Sequence, residues 1–335
     1  MKIGILTQPL CANYGGIIQN WALQQVLKKL GHEPITIDIM PAKYPIKSFF
    51  HINLLACKSL LFKGDKSLFQ PYYHNRKELF NNFVGRNINI TKQVHKLSQS
   101  IIHEYGIEAL LVGSDQVWRP RYNVGVLEDM FLRFAIRNNC PKASYAASFG
   151  TDKWEYNLKQ TKECKKLISK FTRVSVREES GMRLCHEYLG VNSIQVLDPT
   201  LLLDKLDYLE LIRDICPICN EPFLAAYVLD INEEIRSKIE KKANTLNVKP
   251  LVLTADCGAQ LTVEQWISVF RDAKFIYTDS FHGSIFSLIF EKEFEFVSNE
   301  GRGETRFELI KKLQTEGISE NRKQTSLEFL SSIYG

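Results

Sequence analysis

Long hydrophobic runs are missing from the sequence. No stretch reaches the roughly 18 uninterrupted apolar residues that a membrane-spanning helix requires. Residues 1–7 contain too short an apolar run for a secretory signal and show no cleavage-site pattern. We therefore expect a cytoplasmic protein. Segment 54–62 is apolar enough to touch a membrane surface, but a buried helix is the simpler interpretation.

A strong excess of charge of one sign is missing as well. The 43 basic and 38 acidic residues leave a formal net charge of +5. This excess is too small to indicate nucleic-acid binding, and it favours phosphorylated ligands or an anionic membrane surface. At 335 residues, of which 44% are hydrophobic and 24% charged, the chain exceeds the usual size of one core, so we expect two folded domains.

The cysteines lack the spacing of a metal or disulfide framework. Eight are scattered at irregular intervals, and only Cys216 and Cys219 form a C-x-x-C pair. A structural zinc site needs a second pair of Cys or His ligands, and none accompanies this one. We therefore expect buried thiols, no metal and no cofactor.

Strands alternate with helices along the chain, which is typical of parallel sheets covered on both faces. Short apolar runs predict strands at 3–7, 35–39, 109–112, 143–146, 173–176 and 194–197 in the first half, where a helix is predicted at 17–30. In the second half they predict strands at 223–229, 248–253, 274–277 and 294–297, with helices near 233–246, 262–271 and 283–290.

These elements predict an α/β protein with two Rossmann-like parallel-sheet domains facing a cleft. The polar stretch 204–221 is the predicted linker. We assign residues 1–204 to the N-terminal domain, residues 218–310 to the C-terminal domain, and residues 311–335 to helices that pack back on the N-terminal domain. Because strand ends of both sheets border the cleft, functional residues are expected in the loops that follow the strands.

The first such loop, residues 13–19, joins the first strand to the first helix. Its candidates are Asn13, Gly15, Gly16 and Gln19. The adjacent glycines let a ligand approach the backbone, and the N–H groups of a helix start attract anions. The G-x-G-x-x-G dinucleotide fingerprint is absent. A tight turn without a ligand fits the pattern equally well.

The second loop, residues 112–118, contains Ser114, Asp115, Gln116 and Trp118. Small and polar groups beside an indole can bind sugar hydroxyls, with the ring stacked on the apolar face of the sugar. The alternative is that Asp115 caps the segment that follows. We favour a functional site because the polar residues converge at the end of a strand.

Two further loops each supply a candidate for anion chemistry. Arg177 follows a strand directly and its guanidinium can bind a phosphate or carboxylate, whereas an ion pair with Glu178 or Glu179 is the alternative. His282 lies at the start of an apolar helix, between Ser280 and Gly283. We favour a functional role for this histidine because its helix must be buried and its neighbours are polar.

These loops, taken in order with Asp198-Pro199-Thr200, resemble the polysaccharide pyruvyl transferase family. In that family the segments N-Y-G-x-x-x-Q, G-S-D-Q-x-W, S-V-R-[DE]-x-x-S, D-P-T and S-x-H-G occur together, and here they stand at 13–19, 113–118, 175–180, 198–200 and 280–283. The resemblance spans nearly the whole chain. It implies a fold similar to GT-B glycosyltransferases and transfer of the enolpyruvyl unit of phosphoenolpyruvate onto sugar hydroxyls.

One position departs from the family pattern. Many relatives carry an arginine or a leucine-type residue before the histidine, where this chain has Phe281. If that arginine contacts the donor phosphate, another cation must replace it here. Arg302 and Arg306 are the candidates, and Arg306 matches a late arginine of the family, although a solvated surface loop is an alternative interpretation.

The resemblance also implies roles for the candidates. Arg177 and Arg306 would bind phosphate and carboxylate, His282 would protonate the donor or neutralise the departing phosphate, and Asp115 would be the base. Phosphoenolpyruvate is then a substrate rather than a cofactor. The remaining expected substrate-binding residues are Asn13, Gly15, Gly16, Gln19, Ser114, Gln116, Trp118, Ser280 and Gly283.

The expected acceptor is a lipid-linked or soluble glycan, for example one that receives a 4,6-ketal on galactose, and the N-terminal domain is the expected acceptor side. A peripheral membrane contact through the aromatic-rich segment 49–83 would suit a lipid-linked acceptor. Two alternatives remain. A glycosyltransferase of the same architecture would need a ribose-binding carboxylate, for which Glu291 and Glu304 are candidates; the other alternative is a noncatalytic carbohydrate-binding protein.

Overall fold

The computed structural model of the chain describes residues 1–11, 13–40, 72–254, 261–297 and 304–333, and only the backbone of residues 72–79 and 304–307. Two parallel sheets organise these residues, one of six strands and one of four. The predicted two-sheet α/β fold is therefore confirmed. Segment 54–62 lies outside the described residues.

The first sheet has the strand order β2-β1-β3-β4-β5-β6. All neighbouring strands are parallel, with β1 in register between β2 and β3. The central strands are almost wholly buried, as expected for a parallel sheet covered by helices on both faces. The strands are β1 (Lys2–Leu6), β2 (Glu33–Thr36), β3 (Ala109–Val112), β4 (Lys142–Ala147), β5 (Arg173–Val176) and β6 (Ile194–Gln195).

A side-chain cap fixes the start of the first helix of this half. The first, α1 (Tyr14–Lys29), begins before the predicted start at residue 17, because the Asn13 side chain accepts a hydrogen bond from the backbone N–H of Gly15. Both glycines thus lie in its first turn. The others are α2 (Tyr72–Asn87), α3 (Ser100–Glu104), α4 (Leu158–Ile168) and α5 (Glu179–Leu184).

The second sheet has the order β10-β9-β7-β8 and is also parallel throughout. Its helices begin at capping residues, with Thr262 and Ser280 as the N-caps of α8 and α9. Its strands are β7 (Phe223–Val228), β8 (Lys249–Thr254), β9 (Phe275–Thr278) and β10 (Phe294–Phe296). Its helices are α7 (Glu233–Leu246), α8 (Val263–Asp272) and α9 (Phe281–Ile289). A further helix, α6 (Lys205–Leu211), lies inside the predicted linker.

Two C-terminal helices, α10 (Glu304–Glu316) and α11 (Glu320–Ser332), pack on different halves. Helix α10 contacts α9 of the second half. Because α10 runs from Glu304 to Glu316, the predicted boundary at residue 310 falls inside a helix. Helix α11 returns to the first half, where Ser326 Oγ accepts a hydrogen bond from the backbone N–H of Leu197 at 3.0 Å. Leu197 thus bonds outside the sheet, and the sixth strand ends at Gln195, earlier than the predicted residue 197.

One of the hydrophobic clusters contains residues of both sheets, while the outer faces of the two sheets have clusters of their own. The ring of Tyr14, in α1, stacks on that of Trp266, in α8, with centroids 5.3 Å apart. The Tyr14 hydroxyl donates a hydrogen bond to the backbone oxygen of Leu261 at 2.7 Å. These contacts hold the start of α1 against the second half, which places the Asn13–Gly16 turn between the sheets.

The aromatic-rich segment 49–83 is described only at its end. Phe80 and Phe83 are fully buried in α2, so these two rings face the core and not a membrane. Residues 41–71 lie outside the described residues. Over the helices that the structure describes, none has both the length and the apolar character to cross a bilayer.

The first turn of α9 packs so closely on β9 that Gly283 has no room for a side chain. A Cβ at Gly283 would overlap the hydroxyl of Thr278 and press on the Tyr227 ring. We expect Gly283→Ala to lower the free energy of unfolding by about 1–3 kcal/mol, the usual cost of overpacking, as measured by urea denaturation. Gly85→Ala is the matched control, because nothing lies near its Cβ in α2. It should be neutral or stabilising by up to about 1 kcal/mol, and equal losses in both variants would contradict the packing argument.

Candidate functional site

Six polar side chains meet where the loops after β3, β5 and β6 face the start of α9. We call them the polar cluster: Ser114, Asp115, Arg177, Glu178, Asp198 and His282. All are buried. The first five follow strands of the six-stranded sheet, and His282 follows a strand of the four-stranded sheet. Because the carboxyl ends of parallel strands lie at one edge of a sheet, residues far apart in sequence are brought together here.

Arg177 is the cation of the cluster and is only 1% exposed. Its Nε donates a hydrogen bond to Glu178 Oε1 at 3.0 Å and its Nη1 donates one to Asp198 Oδ2 at 3.1 Å. Burial disfavours the charged guanidinium, but the carboxylates of Glu178 and Asp198 outweigh it and raise the pKa of Arg177. Among the described residues, its buried Nη2 has no hydrogen-bond partner. One donor of this cation is thus left for a ligand.

The alternative to ligand binding by Arg177 was an ion pair with a neighbouring glutamate. The structure contains this ion pair, with Glu178. It does not exhaust the guanidinium, because Asp198 provides a second partner on another loop. Glu178 is itself held in place, since Ser148 Oγ donates a hydrogen bond to its Oε1 at 2.9 Å.

Asp198 links the other members of the cluster, and sequence reasoning did not select it as a site residue. Its Oδ2 accepts hydrogen bonds from Ser114 Oγ at 3.0 Å and from Arg177, and lies 3.8 Å from Nε2 of His282. Its Oδ1 accepts bonds from the backbone N–H and the hydroxyl of Thr200 at 3.1 and 2.7 Å. Burial raises the pKa of Asp198, but the charges of His282 and Arg177 and the Thr200 bonds reverse the shift, so that the pKa is lowered.

A signal for Asp198 was present in the D-P-T segment. An aspartate before a proline is typical of the cap of a short helix, and Asp198 does cap the turn Pro199–Leu201. The local pattern therefore has a complete structural explanation without any site. Only the fold shows that the remaining oxygen of this cap faces Arg177 and His282.

His282 lies in the first turn of α9, behind its N-cap residue Ser280. The Ser280 hydroxyl accepts a hydrogen bond from the backbone N–H of Gly283 at 3.3 Å. On the side away from Asp198, the imidazole packs on the first turn of α1: a Cβ at Gly15 would overlap its Nδ1. The absence of a side chain at Gly15 is what admits the ring.

Phe281 lies directly before His282 and faces the cation of the other half. The guanidinium carbon of Arg177 is 4.3 Å from the centroid of the Phe281 ring. This is a cation–π contact in a desolvated position, where such contacts are strongest. A second arginine at position 281 would repel Arg177 at this distance. The departure from the family pattern is thus matched by a cation that contacts the phenyl face.

Asp115 has a strained backbone, with φ at 80° in the left-handed region. Its Oδ1 accepts a hydrogen bond from the backbone N–H of Gln116 at 2.8 Å, which fixes the loop after β3. A Cβ at Gly16 would lie 3.5 Å from the other carboxylate oxygen, so Asp115 faces the first turn of α1. A non-glycine residue in this region costs about 1–3 kcal/mol, and such strain is concentrated at functional sites.

Three candidates do not face the cluster. The Trp118 ring is fully buried, stacks on Phe131 and donates a hydrogen bond to Met130 O at 3.2 Å, so it offers no face to a sugar. The Gln116 side chain accepts a hydrogen bond from Arg119 at 3.0 Å. Gln19 donates hydrogen bonds to Thr7 Oγ1 and to Gly16 O. In this structure the three fix the loops on which the cluster is mounted.

Two candidate cations, Arg302 and Arg306, come from the last part of the chain. Arg306 falls in the first turn of α10, where only the backbone is described, and Arg302 lies outside the described residues. Glu291 is exposed and forms an ion pair with Lys205 at 2.7 Å. Cys216 and Cys219 are free thiols, and over the described ranges no three His, Cys, Asp or Glu residues come together as a metal site.

A cation with a spare donor, an imidazole and carboxylates lie together beside the glycine-containing start of α1. Such a site can bind an anion and move protons. Two parallel-sheet domains with this site between them define an α/β protein of the GT-B-like class. The family model for polysaccharide pyruvyl transferase matches residues 13–301, most of the chain. The chain belongs to this family, and the family supports a transferase acting in polysaccharide biosynthesis.

The chain is similar to solved structures at low sequence identity. UDP-GlcNAc 2-epimerase from Neisseria meningitidis, solved with UDP-GlcNAc, is 12% identical with a TM-score of 0.53, and the match covers 99% of each chain. MurG from Acinetobacter baumannii is 8% identical with a TM-score of 0.39, covering 98% of this chain and 82% of its own. The first likeness supports the GT-B-like fold alone. No curated protein matches the chain.

Removing the buried cation should destabilise the protein in a pH-dependent way. Arg177→Met leaves Glu178 and Asp198 as buried charges without their partner, and we expect a loss of about 3–5 kcal/mol at pH 7. Because the folded pKa of Asp198 lies below its unfolded value, its contribution is complete above the unfolded pKa and is lost as the pH falls through the folded pKa. The loss should therefore shrink below about pH 4, where the carboxylates can protonate.

Urea denaturation at pH 7 and at acidic pH measures this difference. Arg213→Met is the matched control, because Arg213 forms its ion pairs with Glu210 and Asp214 on the exposed surface. The control should show little change at either pH. A loss for Arg177→Met that is the same at both pH values would contradict the electrostatic explanation.

Proposed function

We propose that this protein transfers the enolpyruvyl group of phosphoenolpyruvate to a sugar of a cell-surface polysaccharide precursor and closes a cyclic pyruvate ketal. The observation that carries the proposal is the meeting of Arg177 and His282, one from each domain, at Asp198. Membership of the polysaccharide pyruvyl transferase family supports it. The reaction needs a cation for an anionic donor and an acid for carbon protonation, and this cluster contains both.

We propose that the donor lies between the domains, with its phosphate or carboxylate on Arg177. The unengaged Nη2 of this residue is the donor atom that supports this role. The N–H groups at the start of α1 supply further positive potential beside Gly15 and Gly16. Arg306 is the proposed second cation, by its match to the family pattern, and no metal or cofactor enters the proposal.

The proposed reaction proceeds in balanced steps. His282 gives a proton to the methylene carbon of phosphoenolpyruvate while one sugar hydroxyl adds to the central carbon and gives its proton to Asp115. The bond from the central carbon to the phosphate oxygen then breaks, and Arg177 stabilises the departing phosphate. A second hydroxyl adds to the same carbon and releases its proton. One of the two hydroxyl protons restores His282 and the other leaves with phosphate, so that Asp115 is deprotonated again. The product is a cyclic ketal whose central carbon carries a methyl group and a carboxylate.

The acceptor proposal is broader. The ketal requires two hydroxyls of one sugar within reach of one carbon, and a 4,6-ketal on galactose is an example. We propose that the N-terminal domain holds a lipid-linked or soluble glycan and that the reaction takes place in the cytoplasm, at the inner face of the membrane for a lipid-linked acceptor. The formal charge of +5 is consistent with attraction to an anionic surface.

Two measurements test the function. Thermal unfolding with phosphoenolpyruvate or with UDP reports which ligand binds the folded protein, and mass spectrometry of lipid-linked glycans incubated with phosphoenolpyruvate detects added pyruvate. We expect stabilisation by phosphoenolpyruvate and a glycan product, with release of free phosphate. Stabilisation by UDP alone would favour a nucleotide-sugar glycosyltransferase. Binding of glycan without phosphate release would favour a noncatalytic carbohydrate-binding protein.

Replacement of the proposed acid should stop the reaction. We expect His282→Ala to reduce turnover by about a hundredfold or more, because a positioned proton donor contributes that much. Phosphate release under saturating donor measures it. His186→Ala is the matched control, since His186 is exposed on the first domain, and its turnover should equal that of the wild type. An unchanged rate in folded His282→Ala would remove this histidine from the mechanism.

The contact of His282 with α1 gives a more selective test. Gly15→Ala places a methyl group on Nδ1 of His282 and must displace the ring, and a misplacement of about 1 Å can cost a hundredfold in rate. Gly16→Ala makes the same change one residue later, with only an ordinary contact to Asp115. We expect a far larger loss of turnover for Gly15→Ala than for Gly16→Ala, with both rates measured on protein shown to be folded. Equal losses would show that the ring position does not matter.

A further inference from the structure

We infer that Asp198 is a positioning residue for this site: its carboxylate holds the imidazole of His282 protonated and directs its far nitrogen at the first turn of α1. The inference deepens the proposed function and rests on it for the use of that proton. The Asp198 carboxylate contacts both Arg177 and His282, the two residues proposed to act on the donor. It therefore acts through them and need not touch the substrate.

The carboxylate of Asp198 is a rigid anchor. Thr200 donates two hydrogen bonds to Oδ1, and Ser114 donates one to Oδ2. Thr200 is itself buried, and its backbone oxygen accepts a hydrogen bond from Tyr208 at 2.8 Å. The three groups that donate these bonds to Asp198 directly all belong to the first domain. The second domain is therefore not needed for these hydrogen bonds of the Asp198 carboxylate.

The imidazole of His282 is held from two opposite sides. Its Nε2 lies 3.8 Å from Asp198 Oδ2, and its Nδ1 faces Gly15. The two ring nitrogens point in divergent directions. A carboxylate fixed at Nε2 therefore turns Nδ1 toward α1, where the proposed donor anion is expected. A carboxylate behind an imidazole that faces a substrate is a known way to orient a proton-transferring histidine.

Charges on every element packed against His282 determine its protonation. Arg177 after β5 and the starts of α1 and α9 disfavour a positive imidazole. Helix α1 has no acidic side chain in its first turn. Among the residues that the structure describes, the carboxylates on the facing loops of the first sheet are Asp115, Glu178 and Asp198, and of these Asp198 is at ion-pair distance. Glu178 bonds instead to the other end of the Arg177 guanidinium.

Titration of the histidines by NMR tests the inference without any turnover. The chain has seven histidines, and the signal missing from His282→Gln identifies His282. We expect Asp198→Asn to lower the titration midpoint of His282 by about one pH unit or more, the usual effect of losing an adjacent opposite charge. Glu178→Gln is the matched control, because it also removes a carboxylate from Arg177 but none at ion-pair distance from His282. It should give the smaller shift.

Equal shifts in Asp198→Asn and Glu178→Gln, or no shift in Asp198→Asn, would overturn the inference. If Asp198→Asn does not fold, the wild-type protein still decides, because a His282 midpoint below the ordinary value of about 6.5 contradicts a carboxylate that holds the ring protonated. In turnover assays, the alkaline limit of activity should move to lower pH in Asp198→Asn. A wild-type protein without phosphoenolpyruvate turnover would refute the proposed function, while the titration would continue to test the role of Asp198.

Discussion

A charged guanidinium is costly to bury unless carboxylates lie beside it, and the arrangement of the site follows from that constraint. Arg177 is fully enclosed and takes one partner from its own loop and one from the turn after β6. The second partner, Asp198, is shared with Ser114 after β3. Three loops of the first sheet are therefore tied together by one cation. The face of the same guanidinium contacts Phe281 of the other domain.

Small residues shape the surroundings of His282 as much as charges do, one at the contact between the domains and one inside the second domain. Gly15 and Gly283 leave no room for a Cβ, and each admits a neighbouring group that a larger residue would push away. Gly15 admits the imidazole of His282, and Gly283 lets the start of α9 rest on β9. Stacking of Tyr14 on Trp266 supports the same contact from the apolar side. The position of His282 is thus set by packing on both sides of the ring.

The GT-B-like fold alone does not determine the chemistry. UDP-GlcNAc 2-epimerase from Neisseria meningitidis has a similar architecture, and it was solved with a nucleotide sugar. Such folds host unrelated activities because their sites are built on the loops that follow the strands. In this chain those loops carry the family segments, and the proposal of pyruvyl transfer depends on them. A similar fold with different loops is consistent with a nucleotide sugar in the epimerase and with pyruvyl transfer as the activity for which the family is named.

The sequence by itself determined the positions of the ten strands and of the helices α1, α7, α8 and α9, because apolar periodicity is a local pattern. It also identified Arg177 and His282 as candidates, since each follows a strand at a polar turn. Only the tertiary structure decided that Trp118 is enclosed and that Asp198 joins the two candidates. The orientation of a side chain and its partners depend on elements far away in sequence. Asp198 and its partner Ser114 are 84 residues apart in the sequence. A pattern that spans a few neighbouring residues cannot show that two such residues are in contact.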